Sequence, residues 1–284
     1  MPLDPTAVGA TGDVRTISWN SKDALLYAVG IGAGRADLAF TTENTKDVQQ
    51  VVYPTFAVVA GSGSASPGRS AMGQIGSFNF ALLVHGSQAI TLAGPIPVEA
   101  TATVQDRVVA MYDKGKAAVV VMENEAKLES GEPLWTTRSS VFIRGEGGWG
   151  GERGPSGPQN EPPADTAPDH EITLQTSPDQ AFVYRLSGDR NPLHTDPSFA
   201  AMGGFDRPIL HGLCTYGFTG RALLGALAAD DVTKFDHIEG RFSSPVMPGD
   251  ALTVRAWRTA AGEAVFTTSV GDRVVIDQGL VRFS

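Results

Sequence analysis

The chain echoes itself. Asp23-Ala24-Leu25-Leu26-Tyr27 finds a counterpart in Asp179-Gln180-Ala181-Phe182-Val183-Tyr184, with the tyrosines aligned. Pro54-Thr55-Phe56 falls where Pro208-Ile209-Leu210-His211-Gly212 falls later, and Gly94-Pro95-Ile96-Pro97-Val98-Glu99-Ala100 matches Ser244-Pro245-Val246-Met247-Pro248-Gly249-Asp250. His85 and His237 stand at comparable places just ahead of those last turns. The separation runs from 150 positions (Gly94 to Ser244) to 157 (Tyr27 to Tyr184). A spacing kept that closely means a tandem duplication, so the architecture must be one a chain can hold twice. At 284 residues there is room for two such units.

Each half carries the same kinds of element. β-branched, partly alternating residues at 89–92, 101–112, 117–123 and 136–142 predict strands, as do 238–243, 251–259, 264–270 and 274–283. Ser21 is placed to cap a short helix, and residues 178–184 and 196–202 read as short helical turns. Residues 213–227 form the longest helical pattern and are mostly apolar or small all round, which requires a helix wrapped by other elements. In the first half, residues 54–60 are apolar but too short to type, and the Gly/Ser run after them reads as a flexible surface loop. Gly-Ile-Gly-Ala-Gly at 30–34 lacks the spacing of a dinucleotide loop and predicts a packing or turn role. One apolar helix with several antiparallel strands per half is an α+β architecture, a sheet wrapped around a helix. Gly and Pro crowd residues 146–168, which divides the chain into units 1–145 and 169–284 joined by a linker.

The halves part company after the aligned tyrosines. Tyr184 is followed by Arg-Leu-Ser-Gly-Asp-Arg-Asn-Pro-Leu-His, whereas Tyr27 is followed by Ala-Val-Gly-Ile-Gly-Ala-Gly-Arg. Short polar side chains and Pro192 prevent a continuous helix or ladder, so Asp189 and His194 must lie on an irregular loop. A carboxylate beside an imidazole can hold and activate a water near neutral pH. The same residue types also make ordinary turns.

The whole string, Tyr184, Ser187, Gly188-Asp189, Asn191-Pro192-Leu193-His194 and Ala200, resembles the signature of the R-specific enoyl-CoA hydratases (hydratase 2) of the MaoC-like dehydratase family. The resemblance implies a tandem, or double, hot-dog fold, with an antiparallel sheet wrapped around an apolar helix in each half. It implies reversible addition of water to a trans-2-enoyl-CoA, giving the (3R)-3-hydroxyacyl-CoA. Asp189 and His194 then match the family's catalytic pair, the Gly212 backbone N–H its oxyanion donor, and Asn191 a residue pinning the loop. CoA enters as part of the substrate, so no cofactor is expected. The residues that would touch it are open: Arg190, Arg207, Arg221 and Arg241 are candidates by sequence proximity alone. The first half lacks both loop residues and is expected to be a degenerate copy supplying an acyl-tail pocket, its small residues at 30–34 leaving room. One active site per chain follows. An acyl-CoA thioesterase of the same fold and a non-catalytic acyl-CoA binding protein are the alternatives. Residues 213–227 contain no acid for the first, and a binder needs no general base. A zinc site from His194, Asp196 and His211 has suitable ligand types but no strong spacing, so no metal is expected.

Charge and cysteine use narrow the setting. A net charge of −9 argues against nucleic acid and anionic membranes as general partners, while leaving room for a local basic patch. No apolar run approaches the length of a membrane span and no signal peptide opens the chain, so membrane insertion is not expected. Cys214 is the single cysteine, which excludes an intrachain disulfide and suits a reducing, cytoplasmic compartment. A homodimer is compatible with all of this.

Overall fold

A computed structural model describes residues 3–157 and 159–284. Its strands are β1 (Arg15–Trp19), β2 (Leu83–Leu92), β3 (Ala100–Asp113), β4 (Ala117–Leu128), β5 (Pro133–Arg144), β6 (His170–Gln175), β7 (Phe235–Phe242), β8 (Ala251–Ala260), β9 (Glu263–Val270) and β10 (Arg273–Phe283). Its helices are α1 (Ser21–Gly30), α2 (Leu38–Thr41), α3 (Gln180–Tyr184), α4 (Pro197–Met202) and α5 (Gly212–Ala228). The strands form one sheet in the order β1-β3-β4-β5-β2-β7-β10-β9-β8-β6. Read from each outer edge, the order is β1-β3-β4-β5-β2 and β6-β8-β9-β10-β7, the same arrangement twice. The copies join where β2 pairs antiparallel with β7, from Ser87↔Arg241 to Thr91↔His237.

The aligned tyrosines meet at this junction. Tyr27 in the second half of α1 and Tyr184 at the end of α3 are both fully buried, with ring centroids 6.2 Å apart. α1 begins one residue earlier in its capping than expected. Asn20 accepts from the Asp23 N–H and Asp23 receives the Asn20 N–H, a reciprocal capping box that makes Ser21 the first helical residue.

α5 is the core of the molecule. Its buried side chains include Tyr216, Phe218, Leu223 and Leu224, each stabilising by about 2 kcal/mol on leaving water. Tyr216 spends its hydroxyl on the Ile238 carbonyl of β7 at 2.7 Å, so the buried ring leaves no orphan donor. A β-carbon on Gly217 would lie 2.4 Å from Ile31, and one on Gly220 2.5 Å from Thr55. These two glycines let the first half press directly on α5. The Cys214 thiol and the Gln180 amide both donate to the Gly30 carbonyl, tying α5, α3 and α1 together.

The first half uses its own corresponding stretch differently. After the 3-10 turn Pro54–Val58, residues 59–70 contain no helix, and only short 3-10 turns (Ala71–Gln74 and Phe80–Leu82) precede β2. The Gly/Ser loop read as free is bound to an edge strand. Ser64 and Ser66 side chains accept the Ser18 and Thr16 N–H groups of β1, and the Ser66 N–H donates to the Thr16 carbonyl. Serine hydroxyls thereby satisfy a sheet edge that would otherwise offer itself to another chain. Residues 30–33 do pack, as expected, while Gly34 is exposed. A β-carbon on Gly32, at φ +76°, would lie 2.4 Å from the Phe218 ring, and Gly30 faces Tyr184. The room left by these small residues is therefore filled by the second half, which corrects the expectation that they line open space.

The segment between the halves is strapped to both. Gly148 and Gly150 donate to the Asp113 carboxylate, Asn160 donates to Glu239 and the Gln278 carbonyl, and the Trp257 indole donates to the Thr166 carbonyl.

Candidate active site

The loop between α3 and α4 places the chemistry. Gly188 turns it at φ +133° with a β-carbon position 2.4 Å from Ser62, so only glycine lets the first half cover the loop this closely. The Asn191 N–H then donates to Asp189 Oδ1 at 3.0 Å, and the Asn191 side chain accepts from the Leu193 N–H at 3.0 Å. Asn191 thus pins the loop in two ways, one carboxylate oxygen of Asp189 being held by its backbone. Pro192–His194 closes as a 3-10 turn and points His194 inward, where it is 8 % exposed.

His194 Nδ1 lies 2.9 Å from the Ile209 carbonyl. A carbonyl can only accept, so the proton of the neutral ring sits on Nδ1 and Nε2 keeps its lone pair. Burial lowers the His194 pKa below its usual value, opposed by the Ile209 hydrogen bond and the Asp189 charge. The ring is therefore an unprotonated base at neutral pH.

His211 completes the group. Its Nε2 donates to the Asp189 carbonyl at 3.2 Å, and its ring stacks on His194 with centroids 3.8 Å apart and planes 30° apart. Burial, followed by the neighbouring His194, lowers the His211 pKa to about 4. Polar atoms of Asp189, His194 and His211 all lie within 4.8 Å of one another. These are ligand types a metal could use, but stacked rings direct their in-plane lone pairs side by side, not onto one ion about 2 Å from each nitrogen. Asp196 takes no part, since its carboxylate caps α4 at the Ser198 and Phe199 N–H groups.

Gly212 follows His211 as the first residue of α5, where N–H groups lack intrahelical acceptors and the helix dipole favours negative charge. A β-carbon there would meet only Phe242, at 3.4 Å, an ordinary contact. Neither packing nor backbone conformation demands glycine at this position. Phe242 in turn packs against His85 of β2, with ring centroids 4.9 Å apart, so the first half borders the site. Burial pulls the His85 pKa to about 4, opposed by its hydrogen bond to Ser87 and by the Asp189 charge. Sequence reasoning noted His85 only as part of the repeat; its partner Phe242 and the Ile209 carbonyl carried no signal at all.

The four candidate arginines divide cleanly. Arg221 is paired with Asp37 at 3.0 Å and Arg241 with Asp277 at 2.7 Å, both inside the fold's own ion pairs. Arg190 and Arg207 are exposed and carry no ion pair among the described residues. One adjoins Asp189, and the other is two residues from Ile209. A cavity of about 590 Å³ lies at the opposite end of α5, against Leu227, Lys234 and Phe283, roughly 25 Å along the helix from Gly212. It holds none of these groups.

Comparison with known proteins agrees with the duplication. A MaoC-like domain model matches residues 159–278, and a model of the MFE-2 hydratase 2 N-terminal domain matches residues 17–145. The 3-hydroxyacyl-thioester dehydratase Y of Mycobacterium tuberculosis is 44 % identical, the alignment covering 100 % of this chain and 99 % of the relative. The peroxisomal enoyl-CoA hydratase 2 of Arabidopsis thaliana is 38 % identical, over 90 % of this chain and 87 % of its own. The crystal structure of a MaoC-like dehydratase from Phytophthora capsici superposes with a TM-score of 0.88 at 33 % identity, covering 99 % and 98 % of the two chains.

Proposed function

Since the chain belongs to the MaoC-like dehydratase family, with a double hot-dog fold, we propose that it is a hydro-lyase: it adds water reversibly to trans-2-enoyl-CoA thioesters to give (3R)-3-hydroxyacyl-CoA in fatty acid metabolism. The observation that carries this reading is the Asp189/His194 pair beside the start of α5, with His194 neutral and its Nε2 lone pair free. Hydration needs a water held near C3, a base for its proton, and donors for the charge growing on the thioester carbonyl. His194 Nε2 takes the proton while Asp189 orients the water; C2 then receives a proton from this acid–base pair, which collapses the enolate and leaves the imidazole neutral again. The Gly212 N–H, reinforced by the α5 dipole, receives the carbonyl oxygen. The (3R) outcome rests on family membership, because loop geometry alone does not choose the face of the alkene.

CoA brings phosphates, and Arg190 and Arg207 are exposed cations beside the loop that carry no ion pair among the described residues. Their reversal to glutamate is expected to raise KM for crotonyl-CoA about tenfold or more, and to leave the pantetheine thioester, which lacks the nucleotide phosphates, unaffected. Equal effects on both substrates would remove the assignment. The acyl-tail role of the first half is supported by the lack of a counterpart of α5 among its described residues, and no longer by residues 30–34. No helix among the described residues is long and apolar enough to cross a membrane. The cytoplasmic setting rests on the buried free thiol of Cys214. A homodimer would be read by light scattering.

The decisive assay follows the enoyl-thioester absorbance with crotonyl-CoA and octenoyl-CoA while titrating free thiol. Loss of absorbance without thiol release is expected. Thiol release would make the protein a thioesterase, and no change would make it a binder.

A further inference from the structure

His211 is a buried side chain at the junction of the two parts of the site, and the reaction as described gives it no task. It occupies the N-cap of α5 yet makes no side-chain bond to its own helix. Serine, threonine, aspartate and asparagine dominate that position because their oxygens accept from the first-turn N–H groups. Such an oxygen here would compete with the thioester carbonyl for those donors. An imidazole directed away from the helix leaves them free, and its Nε2–H instead reaches back to the Asp189 carbonyl at 3.2 Å.

We propose that His211 is the positioning residue of this site, clamping the Asp189 backbone to the start of α5 and backing the His194 ring, so that water and carbonyl donor stay in register. This rests on the hydratase reading above. One bond joins the loop that holds the water to the helix that holds the carbonyl. Stacking at 3.8 Å fixes one face of His194, while the Ile209 carbonyl fixes its edge. Two orthogonal restraints on a base hold it to the small positional tolerance that catalysis demands.

The groups around His211 keep it neutral. It faces His194 from the Pro192–His194 turn, Tyr184 from α3 with centroids 5.0 Å apart, Asp189 from the loop and Arg185 just beyond α3. Burial, His194 and Arg185 oppose its protonation, and Asp189 alone favours it. Its Nδ1 is buried without a protein partner. Of two stacked imidazoles that repel a shared charge, His194 is then the one that cycles its proton.

The test compares His211→Gln with His211→Leu in the full chain on crotonyl-CoA. Both fill the ring's volume, but only glutamine can donate to the Asp189 carbonyl. Leucine is expected to lower kcat by about 30-fold or more, with KM within about threefold, and glutamine to recover at least about tenfold of that loss. Wild-type kcat in the leucine variant would overturn the proposal. So would equal losses in both variants, the mark of a packing role, or a defect confined to KM. Near-UV circular dichroism confirms that each variant is folded, and if leucine does not fold, His211→Asn, whose shorter amide cannot reach the carbonyl, takes its place with the same criteria. A wild type without hydratase activity would instead overturn the reading beneath, and the unmutated control reports that separately.

Discussion

At the scale of single residues, the site depends on where protons sit. Asp189 and His194 lie five positions apart on an irregular loop pinned by the hydrogen bonds of Asn191, so their chemistry can be removed without removing the fold. Asp189→Asn and His194→Gln are each expected to lower kcat by at least about 100-fold while melting within a few degrees of the unmutated protein. Near-normal hydration by either variant would remove that residue from the mechanism, and a large drop in Tm would reassign it to structure. The His194 tautomer follows from one acceptor, the Ile209 carbonyl, contributed by a residue fifteen positions away. Nothing near His194 in sequence announces it.

At the scale of elements, the α5 N-terminus joins packing to catalysis. Its glycines differ in purpose. Gly217 and Gly220 are demanded by Ile31 and Thr55 of the first half, whereas Gly212 meets no protein atom closer than 3.4 Å. Gly212→Ala is therefore expected to fold normally, alanine being the better helix former, and to lose about tenfold or more in kcat because its methyl group obstructs the carbonyl. Gly217→Ala is expected to do the reverse, costing stability through collision with Ile31 at 2.4 Å. Comparing Tm and kcat for the pair separates the two roles. Equal behaviour would show that Gly212 only makes the turn.

At the scale of the whole molecule, the buried His194 and His211 and the half-buried His85 make the fold sensitive to acid. Burial lowers the pKa of His85, His194 and His211 in the folded state, against about 6.5 when unfolded. Below that unfolded value the open chain binds protons that the folded protein refuses, so stability must fall as pH falls. The loss begins near pH 6.5 and continues toward about 4, where His85 and His211 titrate. Each contributes at most about 1.4 kcal/mol per pH unit over its window. Urea unfolding should give a stability that is flat from pH 8 to 7 and lower at pH 5. A flat profile down to pH 5 would mean that these rings gain water or partners in solution.

Local patterns in the sequence were enough for much of this. The duplication, eight of the ten strands and the length of α5 were legible because alternation and a mostly apolar helix are properties of neighbouring residues; the short edge strands β1 and β6 were not. The Asp189/His194 loop was legible because its turn chemistry is local too. Contacts between distant segments were not. The pressure of Ser62 on Gly188, the use of Ser64 and Ser66 to cover β1, the filling of the space beside Gly32 by Phe218 and the clamp from His211 to Asp189 each join residues far apart in the chain. No side chain records which distant carbonyl will accept its proton or which ring will occupy the space it leaves. Those partners are chosen only when the two halves close on α5, because burial obliges each polar group to find a partner and each gap to be filled.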